Sequence, residues 1–321
     1  MNKQGKNGIP YCDFTWNPVT GCYGPNGHLC SYCFARRIAE RFSTASKIGE
    51  VEKDYLLLTN KSYSNNPFPQ GFKPTFYPNR LDEPIVRDKP SRIFVSDMGD
   101  LFGDWVPKEW IKDVLMAVRQ CPQHTFLFLT KNPKRYQEFE FPENAWIGTS
   151  VENQAAADER IPLLLQASAA VRFISAEPLL SEINISRYLK WPACKCWPLG
   201  GDPNKYGEYH WEKQSLVSAG WVGIDVVITG GESGPGARPL HPDWVRSLRD
   251  QCQAAGTKFF FKSWGDWLPN AQEYDCNPSG VDYEQRHELV GNVAMCRVGK
   301  KKAGRQIDGR TWDETPCPTK K

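Results

Sequence analysis

The chain has 321 residues, of which 40% are apolar and 24% charged, and its 40 basic and 37 acidic side chains leave a formal net charge of +3. That length buries a sizeable core, so a disulfide-stapled miniprotein is excluded, and the ordinary composition excludes wholesale disorder. The small net charge neither announces nor excludes a nucleic-acid partner, and the longest apolar runs, such as Phe126-Leu127-Phe128-Leu129, fall far short of the ~20 residues of a membrane helix.

The first ten residues are polar and carry no apolar core of a secretory signal, so the expected location is the cytoplasm, where thiols start out reduced. Eleven cysteines are many for such a chain, and an odd number cannot all pair internally, which points to metal binding. Cys12, Cys22, Cys30 and Cys33 crowd the first tenth of the sequence. The last three lie on a Gly/Pro-rich loop, followed by a helix-like stretch from Phe34 to Phe42.

From residue 92 onward strands and helices alternate. Strands are predicted at Arg92–Ser96, Thr125–Thr130, Trp146–Val151, Val171–Ala176, Ile224–Thr229 and Lys258–Lys262. Helices are predicted at Pro107–Gln120, Pro133–Phe139, Gln154–Ser168 and His241–Ala255. This order implies a parallel sheet with helical crossovers, and polar residues at nearly every strand end favour a partial or complete (β/α) TIM-like barrel. Those strand ends carry Ser96, Asp97 and Asp100; Thr130 and Lys131; Ser150 and Glu152; Ser175 and Glu177; Gly230 to Ser233; and Lys262, Ser263 and Trp264. Each alone reads equally well as a loop or helix cap; it is the recurrence that points to a mouth. The expected division is a barrel over 1–265, with a cysteine loop at 12–34 and an insertion at 184–222, followed by an irregular C-terminal extension over 266–321.

Three soft thiolate ligands on one loop suit either an iron–sulfur cluster or zinc. Three cysteines can anchor three irons of a cubane and leave the fourth open to another ligand. Zinc would need Cys12 to close a tetrahedral site, and only Cys30 and Cys33 form the tight knuckle that structural zinc normally uses twice.

The segment Thr15-Trp16-Asn17-Pro18-Val19-Thr20-Gly21-Cys22, continuing to Cys30-Ser31-Tyr32-Cys33, resembles a phage- and prophage-associated radical S-adenosylmethionine (radical SAM) family that long carried an unknown-function label. The likeness continues through Ser96-Asp97-Met98-Gly99-Asp100, Gly148-Thr149-Ser150-Val151-Glu152, Ser175-Ala176-Glu177-Pro178, Gly230-Gly231-Glu232 and Asp308-Gly309-Arg310-Thr311-Trp312. The family is distantly similar to spore photoproduct lyase. The resemblance implies that Cys22, Cys30 and Cys33 are the catalytic metal ligands of a [4Fe–4S] cluster whose open iron binds S-adenosylmethionine, with Tyr32 in the motif's aromatic place. It departs from the superfamily pattern in placing seven residues, not three, between Cys22 and Cys30. For S-adenosylmethionine, strand position favours Ser96, Asp97 and Asp100, with Ser150 and Glu152 as further candidates, over the later Gly230-Gly231-Glu232.

Candidate substrate contacts are Lys131, Glu177, Glu232, Lys262 and Trp264. Lys134, Arg135, Arg238, His241 and the basic tail are further phosphate candidates, and Trp105 and Trp267 are further stacking candidates. The implied partners are a DNA or nucleotide substrate, probed as a modified thymine in phage DNA or as a photolesion, and a reducing electron donor. Two other readings stay open: a zinc-stabilised nucleic-acid-binding protein without catalysis, and a radical SAM enzyme acting on a peptide or protein.

Overall fold

The computed structural model describes residues 1–5, 8–43, 68–189, 223–269 and 287–315. Four short strands precede the predicted alternation: β1 (Asn2–Lys3), β2 (Phe14–Trp16), β3 (Val19–Thr20) and β4 (Thr75–Phe76). Helix α1 (Phe34–Arg41) follows the cysteine loop. The alternation itself then runs β5 (Arg92–Val95), α2 (Lys108–Arg119), β6 (Thr125–Thr130), β7 (Ala145–Ser150), α3 (Gln154–Leu165), β8 (Val171–Ala176), β9 (Val226–Gly230), α4 (Pro242–Ala255) and β10 (Lys258–Ser263). The expected helix at 133–139 is a single 3₁₀ segment, Pro133–Glu138, the tighter i→i+3 form found in short connectors.

One sheet of eight strands has the order β1-β2-β5-β6-β7-β8-β9-β10. β1 lies antiparallel to β2, and every pairing from β2 to β10 is parallel. Side chains alternate across it. Phe94, Leu127, Trp146, Phe173, Val226, Ile228 and Phe260 meet on the inner face with Tyr11 and Cys12. Ile93, Val95, Phe126, Phe128, Ile147, Ile174, Val227, Phe259 and Phe261 pack on the outer face in the larger core with α2, α3 and α4. A parallel sheet covered on both sides requires such near-continuous apolar runs. The sheet curls into a half-barrel: the Tyr11 ring lies 6.0 Å from Phe94 on β5 and 5.7 Å from Phe260 on β10, strands well separated in the order.

The C-terminal region, read from the sequence as irregular, contains an antiparallel sheet of β11 (Trp267–Pro269), β12 (His287–Val290) and β13 (Val293–Arg297), then α5 (Lys300–Ala303) and a hairpin of β14 (Gln306–Ile307) and β15 (Arg310–Thr311). Strands of two to five residues carry too little alternation to be read. The tail then lies along the outer edge of β10. The Phe261 N–H donates to Trp312 O at 2.8 Å, the Glu314 N–H to Phe259 O at 3.2 Å, and the Glu314 carboxylate accepts from the Phe259 N–H at 3.1 Å. Asp308 accepts from Arg246 and Arg249 of α4, which pins the hairpin. Of the expected insertion at 184–222, residues 190–222 lie outside the described residues. Cys296 is disulfide-bonded, so the expectation of fully reduced thiols is corrected there. Among the described residues no helix is long and apolar enough to cross a membrane.

Candidate active-site cleft

The C-terminal ends of the parallel strands open into a cleft of about 930 Å³. The chain leaves β2 at Trp16, whose carbonyl accepts from the Ser96 N–H at 2.7 Å. Asn17 then donates from Nδ2 to Asp97 Oδ1 at 2.7 Å and accepts the Met98 N–H on Oδ1 at 3.0 Å. The exits of β2 and β5 are thereby tied together, and the cysteine loop starts from a fixed point. The Cys22 N–H donates to Phe72 O at 3.2 Å. At Gly24, with φ +78°, a Cβ would stand 1.9 Å from His28 O, so only glycine permits this turn. The Gly24 N–H donates to Cys22 Sγ at 3.1 Å, and Cys33 caps α1 by accepting the Arg36 N–H on Sγ at 3.4 Å.

Cys22, Cys30 and Cys33 all line this cleft. Burial, then the neighbouring Asp100 carboxylate, pushes the Cys22 thiol up to about 12, and burial raises Cys33 as well. Such thiols hold their protons at neutral pH unless a cation compensates the thiolate, which is what a bound iron cluster provides. Cys12 does not join them: it is buried in the inner apolar cluster, its thiol also pushed up to about 12 by burial and by Asp97 and Asp13. Among the described residues no three His, Cys, Asp or Glu side chains converge on one ion. With Cys12 held apart in the apolar cluster, the three thiols on the cleft lack the fourth cysteine that would close a tetrahedral zinc site, and three thiols suit a cluster with one iron left open.

The strand ends supply the walls. Ser96 has φ +55°, is 4% exposed and lines the cleft, and its buried hydroxyl has no hydrogen-bond partner among the described residues. A buried hydroxyl of this kind leaves hydrogen-bonding capacity for a ligand. Asp97 also lines the cleft; burial raises its pKa, against the hydrogen bond from Asn17. The Asp100 carboxylate is occupied by the Thr130 hydroxyl at 2.7 Å and by the N–H groups of Lys131 and Phe102, each at 3.1 Å. It joins the exits of β5 and β6 while lining the cleft, with one acceptor site on Oδ2 beyond these three bonds.

Lys131 donates to the Tyr32 hydroxyl at 2.7 Å and to Glu152 at 3.0 Å, and Arg160 of α3 holds the other Glu152 oxygen at 2.9 Å. Burial acts to raise the Glu152 pKa, but Lys131 and Arg160 outweigh it and hold the carboxyl below its usual range. Tyr32 is thus held by its hydroxyl, and its ring lies 5.1 Å from Lys131 Nζ and 5.5 Å from the Arg238 guanidinium. Arg238 is itself paired with Glu232. Ser150 lines the cleft and its carbonyl accepts from Arg160 at 2.9 Å.

On another wall, Glu177 accepts the Tyr11 hydroxyl at 3.2 Å and the Ser175 hydroxyl at 3.1 Å, and lies 3.0 Å from Lys262 Nζ. At Gly231 a Cβ would stand 2.2 Å from Trp264 O, so the second glycine of Gly230-Gly231-Glu232 is a close-packing device. Trp264 itself is 4% exposed, packs on Phe261 and donates its indole N–H to Gln306 O at 2.8 Å. Its place is the outer core, where it cannot stack on a substrate. Trp267 is likewise buried with its N–H on Ala237 O, Arg135 is buried against the carbonyls of Gly103 and Val106, and His241 caps α4. Tyr11 and Asn17 were not singled out by the sequence. Both flank β2, and recognising that strand ahead of the cysteines would have placed them at the mouth.

The fold and the cleft define an α/β half-barrel protein with three cysteines at the C-terminal ends of its parallel strands. The chain belongs to a family described as protein of unknown function (DUF5131), whose model matches residues 6–316. No curated protein matches it. Among solved structures it is similar to spore photoproduct lyase with bound AdoMet and dinucleoside spore photoproduct, at 10% identity and a TM-score of 0.41, covering 94% of this chain and 72% of that one. The lyase complexed with dinucleoside spore photoproduct matches at 10% identity and a TM-score of 0.40, over the same shares of the two chains.

Proposed function

We propose that this protein is a radical SAM enzyme, with Cys22, Cys30 and Cys33 as the ligands of a [4Fe–4S] cluster and a nucleobase or modified thymine in DNA as its substrate. The observation that carries this reading is the convergence of the three motif cysteines and the polar strand ends on one cleft. At about 930 Å³ the cleft lies at the upper end of the ~300–1,000 Å³ usual for ligand pockets, which suits a cofactor and part of a substrate together. A cluster held by Cys22, Cys30 and Cys33 would supply the one-electron reduction of S-adenosylmethionine on which radical SAM chemistry rests.

The chain's own residues bind and orient. Ser96 offers its buried hydroxyl, and Asp97 and Ser150 add polar groups on neighbouring strand ends. Lys131, Glu152 and Arg160 fix Tyr32, and with it the loop between Cys30 and Cys33. The inner apolar cluster of Phe94, Leu127 and Phe173 closes the floor against water. Isomerisation in hypermodified phage DNA and repair of a photolesion are the two reactions this reading places first, on the motif resemblance.

The test is anaerobic iron–sulfur reconstitution, reduction with dithionite in the presence of S-adenosylmethionine, and assay of methionine and 5′-deoxyadenosine. A brown protein that cleaves S-adenosylmethionine, with iron and activity lost in Cys22→Ala, Cys30→Ala and Cys33→Ala but iron retained in Cys12→Ala, is the expected result. A colourless zinc protein inert toward S-adenosylmethionine would overturn the enzyme reading. Turnover of a peptide but of no nucleic acid would overturn the substrate.

A further inference from the structure

The wall formed by β8, β10 and the C-terminal region carries a carboxylate, an ammonium group paired with it, and a second lysine lining the same cleft. Glu177, at the exit of β8, has a side chain only 12% exposed, and Lys262, at the end of β10, is 26% exposed with Nζ 3.0 Å from Glu177 Oε1. The other carboxylate oxygen, Oε2, accepts from both the Tyr11 and Ser175 hydroxyls. These two donors fix the carboxylate, and Glu177 in turn fixes Lys262. The pair is an ion pair without a hydrogen bond, since Oε1 has no hydrogen-bond partner among the described residues, so the Lys262 ammonium keeps its N–H groups for donation elsewhere.

Lys300 reaches the same cleft from α5, far along the chain. Backbone bonds hold that short helix against the exit of β10. The N–H groups of Val298 and Gly299 both donate to Asp266 O at 3.0 Å, and the Trp264 N–H donates to Gly304 O at 3.2 Å. Lys300 is electrostatically coupled to both Lys262 and Glu177; burial first, then repulsion from Lys262, lowers its pKa. An anion arriving between the two ammonium groups would relieve that repulsion.

We propose that Lys262 and Lys300 form an oxyanion subsite of the cleft, with Glu177 as the fixed group that orients Lys262, and that it takes a phosphate or carboxylate group of the substrate. The subsite rests on the reading of the cleft as the substrate chamber. It makes the C-terminal region part of the site, because Lys300 belongs to it. Charge-assisted bonds from two ammonium groups to one oxyanion are the strong kind, and a partly buried wall weakens them less than bulk water does.

The experiment is calorimetric titration of the full chain with inorganic phosphate and, separately, with acetate, at constant ionic strength. Wild type is compared with Lys262→Gln, Lys300→Gln, Lys300→Arg and Lys301→Gln, the last an exposed lysine on the same helix that does not line the cleft. Expected is a loss of about tenfold or more in affinity in either cleft Lys→Gln variant, and affinity within about twofold of wild type in Lys300→Arg and Lys301→Gln. Tighter binding of phosphate than acetate assigns the group to a phosphate ester, and the reverse order to a substrate carboxylate. Equal affinity in wild type and Lys300→Gln, or no binding of either anion by wild type, overturns the subsite. Thermal melting accompanies each variant, and Lys300→Gln carries the test alone if Lys262→Gln fails to fold with Glu177 left uncompensated. Failure of the function reading is distinguishable: it is read from S-adenosylmethionine cleavage by wild type, a measurement independent of anion affinity.

Discussion

Replacing Glu152 by alanine tests whether the cysteine loop is anchored through a buried ionic network. Its carboxylate holds Lys131 at 3.0 Å and Arg160 at 2.9 Å, with side-chain exposures of 13% for Glu152, 18% for Lys131 and 10% for Arg160. Removing one partner of a buried pair leaves uncompensated charge and costs ~3–5 kcal/mol; residual solvent contact places this case at the lower end, about 3 kcal/mol. At an unfolding entropy of ~2.1 cal/mol/K per residue, each kcal/mol shifts Tm of a 321-residue chain by roughly 1.5 °C, so Glu152→Ala should melt roughly 4–5 °C below wild type. Urea unfolding across a pH series checks the sign. The Glu152 pKa is depressed in the folded state, so its contribution is fully present above the ordinary carboxyl value of ~4.3 and is lost as pH falls through the folded value. The gap between wild type and variant should be flat at neutral pH and should shrink in acid. A cost below about 1 kcal/mol at pH 7, or a gap that widens in acid, would refute the anchoring argument.

Two further outcomes follow from the packing. Gly231→Ala sets a methyl 2.2 Å from the Trp264 carbonyl, a backbone atom that cannot swing aside, and should destabilise by ~1–3 kcal/mol in thermal or urea melts; a neutral substitution would mean that the turn after β9 adjusts freely. Asp308→Ala removes the acceptor of Arg246 and Arg249, but the carboxylate is 44% exposed, so solvent screening limits the loss to about 1 kcal/mol. Hydrogen bonds from Arg246 and then Arg249 hold the Asp308 pKa below its usual range, so its contribution persists above ~3.9 and disappears only as pH falls below that, which acid unfolding of the two proteins would reveal.

The six long strands and three crossover helices were legible because each apolar run is buried on both faces and each helix carries a wide apolar stripe. Thr125–Thr130 and Val171–Ala176 have the same bounds in sequence and structure. β2 was not legible. Its three residues cannot show a period, and their partner β5 lies more than seventy residues away, so only tertiary pairing makes them a strand. The cleft was legible where chemistry and strand position coincide, as at Cys22, Cys30, Cys33, Ser96 and Lys131. Trp264 shows the limit of that reasoning. Regular alternation would put Lys262 and Trp264 on the same side, but the register of β10 shifts between Phe261 and Ser263, and Lys262 faces the cleft while Trp264 turns into the outer core.

The tail along β10 also bears on how the chain reaches its final state. Every hydrogen bond within the parallel sheet can form before residues 312–314 are in place, whereas among the described residues the backbone partners on the open side of β10 come from that segment. Until that last segment docks, Phe259 and Phe261 present unpaired N–H groups in an apolar strand, the kind of edge that recruits a second unfinished copy. The order of events at the two ends of the chain thus sets the interval in which misassembly competes with completion, and a slow-docking tail would lengthen that interval without altering the finished molecule.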